Sequence, residues 1–524
     1  QKHFFIPREL DGKYLIFSVI PASADEPDEG REIKSEPVLI GSKTGSALFI
    51  APDGSDEAGD GSIHAPFATI EKARNTIRLL PELPKGGITV YLRGGTYPVS
   101  NTITFNSLDS GTADAPIIYR PYRDEKVSLT GAKQIDFRKF TPIAGEMRDK
   151  LIDEIAKSKV KVADLDEIGL SDYAGLGITT VLLSHGAIDA PILEFDGELM
   201  TLSRYPNSIY RSDWCDITSI DKDETSYTVS YEGIDRVDRW THNNCDKLMM
   251  MGYFSADWYA ETNFFTINRE SKTLTSNTGK YLYGVGNAGE KRDAYFANIY
   301  EEIDMPGEWY IDETNRKMYV YPMNDNVDAE ITMSYADFKF FNISGANYLT
   351  FYGFDILGGK ASVLSVNDSN NVVFDNCKMH SFQGNIGNIG NTSTNCGIRN
   401  SEIYNLSKGG ITVAGGDADT LTPGNNFITN NYIHDFSVYC DAYGAAVSLA
   451  VGSVGNLIDH NEFANSPHEV IAYRGYNHIM EYNTFHDVCT NAADMGAIYT
   501  GRRLDQMGNI MRYNHFYSIG RKNK

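Results

Sequence analysis

A short alternation of hydrophobic and polar residues recurs along the C-terminal third of this chain. In each copy, a hydrophobic stretch leads to a polar turn residue, most often Asn, and a second alternating stretch follows it. The copies occupy residues 373–379, 398–403, 427–433, 457–463, 479–485 and 510–516. Their aligned turn residues lie 22 to 31 residues apart and are Cys377, Ser401, Asn431, Asn461, Asn483 and Asn514. A repeat of this length predicts a solenoid.

Each copy predicts two short strands that meet at the turn residue, because apolar and polar side chains alternate on both sides of it. One such unit cannot bury its apolar face alone, whereas stacked units can. The aligned Asn side chains can then form a hydrogen-bonded ladder from coil to coil. We therefore predict an all-β fold, a right-handed parallel β-helix, with residues 341–524 as its repeats.

The N-terminal part of the chain predicts the start of the same solenoid. Residues 1–46 form a small leading segment, and residues 47–135 contain strand-like sequence. Within the latter, Ile70, Ala73 and Ile77 recur at helical spacing behind Thr69, a suitable N-cap. A capping helix at this place would cover the otherwise unpaired strand edges of the first coil.

The repeat is absent from residues 136–340, which predicts a β-rich domain inserted into the solenoid. Helices are predicted over residues 146–158 and 162–170, before the strand-rich part of this domain. Two hairpins are predicted in it, one over residues 193–200 with an Asp-Gly turn and one over residues 306–322.

Composition and charge narrow the range of functions. The 524 residues carry a formal net charge of -23, which argues against a nucleic-acid binder, since phosphate is bound by Lys and Arg. A polyanionic substrate would need a local cationic site against this charge. Aromatic residues make up 12% of the chain, which suits stacking on sugars.

The sequence also bears on location. No hydrophobic run reaches the roughly 20 residues of a membrane span. The chain begins at Gln1 without a signal peptide, as a processed chain does, so we expect a secreted, periplasmic or cell-surface protein. The six cysteines show no metal-binding spacing, and Cys377 and Cys396, which fall on the repeat, are expected to be buried thiols.

Sites on a parallel β-helix lie on the outer face of one sheet, beside loops at the corners. Four segments between the repeat copies carry suitable residues. The first spans residues 414–424 and contains Asp417 and Asp419. These carboxylates suit catalysis or a calcium ion, and they equally suit an Asx turn. The sequence demands no cofactor.

The second segment, residues 439–444, contains Tyr443, which suits proton donation to a leaving group or stacking on a sugar. The alternative is a surface aromatic residue.

The third segment, residues 465–475, contains a Pro-fixed turn followed by His468 and Glu469. A His with a near-neutral pKa is the natural general base, and Arg474, six residues on, would project from the same face of a continuous strand. We assign Glu469 and Tyr473 to substrate binding. A structural His with satisfied hydrogen bonds is the alternative.

The fourth segment, residues 494–503, places an acid, an aromatic residue and two cations on one coil: Asp494, Tyr499, Arg502 and Arg503. By the repeat alignment, Asp494 follows Asp417 by two coils, so the two suit a pair of catalytic carboxylates. A solvated turn is the alternative.

These segments resemble secreted β-helix carbohydrate-active proteins of the pectate-lyase-like superfamily, which include polysaccharide lyases and glycoside hydrolases. The resemblance spans nearly all of the chain from residue 48 onward. It rests on the N-terminal residues 48–56, 66–74 and 88–97 and on the corner residues 415–417, 420–424, 466–468 and 494–503. Ser466 stands where the similar uronate lyases and epimerases have Asp. The resemblance implies polysaccharide processing.

Three functions remain open. A lyase that cleaves a uronic-acid polysaccharide by β-elimination needs a base, a cation for the carboxylate and an acid for the leaving oxygen. His468 would be the base, Arg474 or Arg502 the cation, and Tyr443 or Tyr499 the acid. A glycoside hydrolase would use Asp417 and Asp494. A glycan-binding scaffold without catalysis is the third. The His, Arg and Tyr residues on consecutive coils favour the lyase, with a polysaccharide as partner.

Overall fold

The computed structural model describes residues 46–181, 184–222, 226–242, 248–276, 286–390 and 392–521, with four two-residue strands before them. Those four strands pair antiparallel, Tyr14–Leu15 with Val38–Leu39 and Ser18–Val19 with Ile33–Lys34. The rest of the predicted leading segment lies outside the described residues.

The chain forms a parallel β-helix of three sheets, which confirms the predicted fold class. Sheet 1 has ten strands: Ser46–Ile50, Ile88–Leu92, Ile117–Pro121, Asn347–Tyr352, Asn370–Asp375, Gly397–Arg399, Phe427–Thr429, Leu457–Asp459, Ile479–Glu481 and Ile510–Arg512. Sheet 2 has nine: Gly95–Pro98, Val127–Thr130, Asp355–Leu357, Lys378–Phe382, Glu402–Leu406, Tyr432–His434, Glu462–Ser466, Thr484–Val488 and His515–Ile519. Sheet 3 has eight: Ile103–Phe105, Phe341–Ser344, Leu364–Asn367, Gly387–Ile389, Ile411–Val413, Val447–Leu449, Ile471–Ala472 and Ile498–Tyr499.

The core lies between the three sheets, where like residues of successive coils stack. In sheet 1, Ile398 pairs with Ile428, which pairs with Ile458, and all three are buried. In sheet 2, the rings of Phe463 and Phe485 stack at 5.1 Å. Burial of these stacked apolar side chains stabilises the packing of each coil on the next. Cys377 and Cys396 are buried thiols, as predicted.

The inserted domain leaves the solenoid at the corner between sheets 2 and 3. It begins after the strand Val127–Thr130 of sheet 2, and the chain rejoins sheet 3 at Phe341–Ser344. The solenoid is continuous across this gap, because Ser128 pairs with Asp355 and Ile103 pairs with Phe341. The domain is therefore inserted at the corner between sheets 2 and 3, which later coils of the solenoid continue.

The described residues of the inserted domain form four sheets. One sheet has four strands: Lys133–Asp136, Glu330–Met333, Leu193–Phe195 and Glu198–Leu199. A second has five strands, Thr141–Pro142, Lys161–Asp164, Lys317–Val320, Glu308–Asp312 and Thr201–Leu202, and a third pairs Gly177–Val181 with Ser184–Asp189. The fourth has seven strands: Arg204–Tyr205, Lys291–Ala297, Cys215–Lys222, Tyr227–Ser230, Thr273–Ser276, Tyr259–Asn268 and Leu248–Ala256. Both predicted hairpins are confirmed, since Leu193–Phe195 pairs with Glu198–Leu199 and Glu308–Asp312 pairs with Lys317–Val320.

The described residues contain three α-helices, Ile70–Arg78, Gly145–Lys150 and Ala156–Lys159. The first is the predicted capping helix: the Thr69 hydroxyl accepts from the Lys72 N–H at 3.1 Å, and its apolar face joins the solenoid core. The helix predicted over residues 162–170 is wrong, because Lys161–Asp164 pairs with Lys317–Val320 as a strand. A tertiary partner overrode the local pattern there. None of the helices in these ranges is long and apolar enough to cross a bilayer.

Buried asparagines at the corner between sheets 1 and 2 form the predicted ladder. The Asn461 side-chain oxygen accepts from the backbone and side-chain N–H groups of Asn431, at 2.9 and 3.0 Å. The Asn483 oxygen does the same for Asn461, and the Asn514 oxygen for Asn483. The side-chain amide of each asparagine also donates to a backbone carbonyl of the preceding coil, as Asn461 does to the Ile428 carbonyl at 2.8 Å. The ladder thus satisfies buried backbone groups that no strand pairing reaches.

A second ladder runs along the corner between sheets 3 and 1. The Asn426 and Asn456 side-chain oxygens accept from the backbone N–H of the residue one coil earlier, Cys396 and Asn426. The ladder continues through His478, whose Nδ1 accepts from the Asn456 N–H at 3.1 Å. Burial lowers the pKa of His478 to about 4, so the ring is neutral and able to accept.

The ladder generates a stability prediction. Asn461→Ala removes the acceptor for the buried Asn431 N–H and should cost about 2 to 4 kcal/mol of unfolding free energy. The matched control is Asn75→Ala on the exposed face of the capping helix, which should stay within about 0.5 kcal/mol of wild type. Urea unfolding of both variants provides the measurement. Equal unfolding midpoints for the two variants would contradict a stabilising role of the ladder hydrogen bonds.

Candidate active site

The inserted domain packs over the corner between sheets 2 and 3. The Ile188 N–H donates to the Tyr439 carbonyl at 2.9 Å, and the Ala493 N–H donates to the Asp257 carbonyl at 2.8 Å. One coil earlier, the Asn405 amide donates to Glu194 at 2.8 Å. These contacts join successive corner loops of the solenoid to one surface of the inserted domain.

A buried arginine fastens the two parts together. Arg211 is 2% exposed, and its Nε donates to Asp293 at 2.8 Å. Its backbone N–H donates to the Asn491 side-chain oxygen at 3.0 Å, and its guanidinium lies 3.9 Å from the centre of the Tyr253 ring. A buried charge needs this full set of partners to be tolerated. Arg211 thereby connects the inserted domain to the solenoid loop that contains Asn491.

A cavity of about 330 Å³ lies between the inserted domain and this corner. The inserted domain contributes Arg204, Tyr210, Trp214 and Tyr295 to its wall. The solenoid contributes three carboxylates, Asp435, Asp441 and Asp487, with Tyr439, Asn465 and Asn491. Aromatic walls with a few convergent polar groups are typical of small-molecule and sugar pockets.

Asp441 is the most deeply buried of the three carboxyl groups. Its side chain is 8% exposed and accepts from the Asn491 amide at 3.0 Å. Burial raises the pKa of Asp441 to about 6, against the opposing effects of that hydrogen bond and of Arg204 and Arg211. A carboxyl group with such a pKa can carry a proton near neutral pH and deliver it to a substrate.

Asp435 and Asp487 occupy equivalent positions at the ends of sheet 2 strands, with Asn465 between them. The pairing of Ala464 with both His434 and His486 sets this register. All three residues have left-handed backbone angles, with φ of 48°, 56° and 51°, which Asn and Asp tolerate best. Two strand spacings place the two aspartates roughly 10 Å apart along the solenoid.

Each of these aspartates contacts the histidine before it. The Asp435 Oδ2 lies 2.6 Å from His434 Nδ1, and the Asp487 Oδ2 lies 3.0 Å from His486 Nδ1. Burial alone would lower the pKa of His486, but the Asp487 and Glu462 carboxylates raise it above its usual value. The site therefore pairs negative groups in the cavity wall with imidazoles on the outer face of sheet 2.

Arg204 is the one cation among the described residues that line the cavity. Its Nε donates to the Pro206 carbonyl at 3.1 Å and its Nη2 to the Ser208 carbonyl at 2.8 Å. Its guanidinium stacks on Tyr295, 3.8 Å from the ring centre. Arg204 is thus held by the inserted domain, in the wall of a cavity that three carboxyl groups also line.

The structure places His468, Glu469 and Tyr443 together, beside the inserted domain and outside the cavity wall. His468 is 1% exposed, its Nδ1 contacts the Glu469 carboxylate, and its ring lies 5.0 Å from that of Tyr443. Its Nε2 lies 3.4 Å from the Trp258 carbonyl, and burial lowers its pKa to about 3. Such burial favours the structural alternative for this histidine.

The other cationic and aromatic candidates gather at a different corner. Arg474 donates to the Tyr473 carbonyl and to the Thr500 hydroxyl, at 2.7 and 3.2 Å. Tyr499 lies on the adjacent sheet 3 strand, with its carbonyl accepting from the Tyr473 N–H at 3.0 Å. Arg502 is exposed and Arg503 pairs with Asp505 at 2.7 Å. His468 and Arg474 are therefore not brought into one groove.

Asp417 and Asp494 lie at different corners and do not form a pair. Asp417 is exposed in the loop between sheets 3 and 1, where its Oδ1 accepts from the Asp419 N–H at 2.9 Å. This is the Asx turn that the sequence also suits. Asp494 is exposed in the loop between sheets 2 and 3. No group of three or more His, Cys, Asp or Glu side chains within the described ranges is arranged to hold a metal ion.

Two of the cavity carboxylates have a signal in the sequence that the segments selected above do not include. The dipeptide His-Asp follows the repeat copies at residues 434–435 and 486–487, at the same place in the coil. Asp441 lies in a segment selected for its tyrosine. Arg204 and Trp214 carry no comparable signal, because only the packing of the inserted domain brings them to this corner.

Comparisons with known proteins give partial matches. No protein-family model matches the chain. Over 84 residues it is 39% identical to "Pectate lyase PEL9" from Emericella nidulans, a match that covers 16% of this chain and 18% of that protein. Over 135 residues it is 30% identical to the uncharacterized protein YwoF from Bacillus subtilis, covering 26% and 25%. The chain thus matches a quarter or less of the length of these curated relatives.

Solved structures similar to this chain include carbohydrate-active proteins. One described as "Glycoside hydrolase" has 16% identity and a TM-score of 0.49, with 90% of this chain and 97% of that chain covered. The complex of XylC with xylose has 13% identity and a TM-score of 0.47, covering 90% and 66%. An alginate lyase from Paenibacillus sp. str. FPU-7 has 15% identity and a TM-score of 0.26, covering 36% and 74%.

Proposed function

We propose that this protein is a glycoside hydrolase that acts on a glycan bound between the inserted domain and the solenoid. The observation that carries the proposal is the buried Asp441 carboxyl group, which lines the same cavity as Asp435 and Asp487. Glycoside hydrolysis needs two carboxyl groups in different protonation states, one to give a proton to the leaving oxygen and one to act as base or nucleophile.

The environments of the carboxyl groups support this division of roles. Burial raises the pKa of Asp441 to about 6, which suits the proton donor. Asp435 and Asp487 are about two-fifths exposed and lie beside imidazoles, so a water or a sugar can reach them. The half-buried ring of Tyr210 provides an aromatic surface on which a sugar can stack, and the buried ring of Trp214 packs behind it in the cavity wall.

The charge of the cavity favours a neutral sugar over a uronate. Three carboxyl groups and one guanidinium line it, and the guanidinium of Arg204 already donates to backbone carbonyls. A uronate polymer would meet repulsion there. The lyase remains the second candidate, supported by the partial identity with a pectate lyase.

Substitution of Asp441 tests the proposed proton donor. Asp441→Asn removes the proton donor and should lower kcat on glycans about 100-fold to 10,000-fold, because general acid catalysis contributes that much. Asp417→Asn, at an exposed turn on another corner, is the matched control and should retain activity within about twofold. The measurement is release of reducing ends from a panel of neutral and uronate polysaccharides. Equal rates for both variants would remove Asp441 from the mechanism.

The products separate the two candidate activities. A hydrolase generates reducing ends without any ultraviolet absorbance from an unsaturated uronate, whereas β-elimination generates both together. We expect reducing ends alone, and a rise in that absorbance on a uronate polymer would establish the lyase in place of the hydrolase.

The raised pKa of Asp441 predicts a pH dependence of stability. Its pKa is 3.8 ordinarily and about 6 in the fold, so the folded state favours the protonated form. The stability this group contributes is complete below about pH 4 and is lost as the pH rises through 6, by roughly 3 kcal/mol. Asp441→Asn should lack this loss. Thermal unfolding of both proteins between pH 4 and pH 7 measures the difference, and parallel curves would contradict it.

A further inference from the structure

The two exposed aspartates of the cavity differ in how their oxygens are held. Both oxygens of Asp435 have partners, since Oδ2 lies 2.6 Å from His434 Nδ1 and Oδ1 accepts from the Asn465 amide at 3.1 Å. Asp487 has one held oxygen, the Oδ2 that lies 3.0 Å from His486 Nδ1. Its Oδ1 has no hydrogen-bond partner in the part of the chain that the structure describes. Asp487 thus keeps an oxygen for a ligand.

His486 is itself fixed from two sides. Its Nε2 lies 3.1 Å from Glu462 Oε1 on the preceding strand of sheet 2. Its ring stacks on Tyr517 of the following strand, with 4.9 Å between ring centres and 4° between planes. The contact with Glu462 and the stacking on Tyr517 therefore fix the position of the imidazole. A fixed imidazole can orient the Asp487 carboxylate.

The equivalent histidine at Asp435 is held less completely. His434 stacks between Tyr404 and Tyr432, at 5.1 and 4.0 Å. Its Nε2 is buried without a hydrogen-bond partner among the described residues and lies 3.7 Å from Glu402. At His486, by contrast, both ring nitrogens lie within hydrogen-bond distance of a carboxylate, Glu462 on one side and Asp487 on the other.

We propose that Asp487 is the carboxylate that works with Asp441, and that His486, held by Glu462, is the residue that positions it. This inference rests on the proposed hydrolase function. Asp441 gives its proton to the glycosidic oxygen as the bond to the anomeric carbon breaks. Water adds to that carbon, and the free oxygen of Asp487 accepts the proton that the water loses. One water is consumed, and exchange with solvent restores both carboxyl groups.

A pair of substitutions separates the two contacts of His486. The Asn amide nitrogen takes the place of Nδ1, so His486→Asn keeps the contact with Asp487 and loses the one with Glu462. The longer Gln amide takes the place of Nε2, so His486→Gln keeps the Glu462 contact and releases Asp487. A positioning role therefore predicts that kcat falls about 10-fold or more in His486→Gln, with KM within about twofold, and largely recovers in His486→Asn.

The chain offers a matched control in His460. Its Nδ1 lies 2.7 Å from Asp459 and its ring stacks on Tyr482 at 4.9 Å, so it shares the aspartate contact and the ring stacking of His486 at the corner of sheets 1 and 2. His460→Gln should leave kcat within about twofold of wild type. Equal thermal midpoints for the His460 and His486 variants would show that any loss of kcat is not a loss of fold.

Asp487→Asn completes the test and keeps failure of this inference distinct from failure of the function. The inference expects a kcat loss of at least about 100-fold in Asp487→Asn and a smaller loss in Asp435→Asn. If Asp441→Asn is inactive while Asp487→Asn and His486→Gln retain wild-type kcat, the hydrolase stands and this inference is overturned. If Asp441→Asn and Asp487→Asn both retain full activity, the proposed function itself fails.

Discussion

The stacking of coils depends on hydrogen bonds from buried asparagine side chains at the corner of sheets 1 and 2. The side-chain oxygens of Asn431, Asn461 and Asn483 each accept from a backbone N–H of the preceding coil that strand pairing leaves without a partner. The ladder joins the coils from Ser401 to Asn514, and their common register makes residues at the other corners line up as well. The row Asp435, Asn465 and Asp487 is a consequence of that alignment.

The inserted domain converts one of these corners from an exposed ridge into the wall of a cavity. It leaves the chain at the corner of sheets 2 and 3 and folds back over the later coils of the same corner. The fixed Arg211 and the backbone contacts at Tyr439 and Ala493 hold it there. Without this cover, Asp441 would be solvated and its carboxyl group would lose the burial that raises its pKa. Solenoid and insertion thus each supply half of the site.

The fold could be predicted from the sequence because each coil of the β-helix corresponds to one copy of the sequence repeat. The period, the alternation and the buried asparagines follow from local chemistry that each coil repeats, and the capping helix carries its own N-cap at Thr69. The candidate site is encoded less locally. His468 has the residue type of a base, but it is buried, with its Nε2 3.4 Å from the carbonyl of Trp258, which is far away in the chain. The proposed role of Asp441 likewise depends on neighbours from the inserted domain, whose packing no local pattern encodes.

The central claim is that a glycan binds at the corner where Asp441 and Asp487 share a cavity. A crystal structure of the Asp441→Asn variant soaked with an oligosaccharide tests it most directly. We expect a sugar ring between Tyr210 and the solenoid wall, with its glycosidic oxygen at position 441 and an oxygen of Asp487 near the anomeric carbon. An oligosaccharide bound instead beside Arg474 and Tyr499, with this cavity empty, would contradict the account.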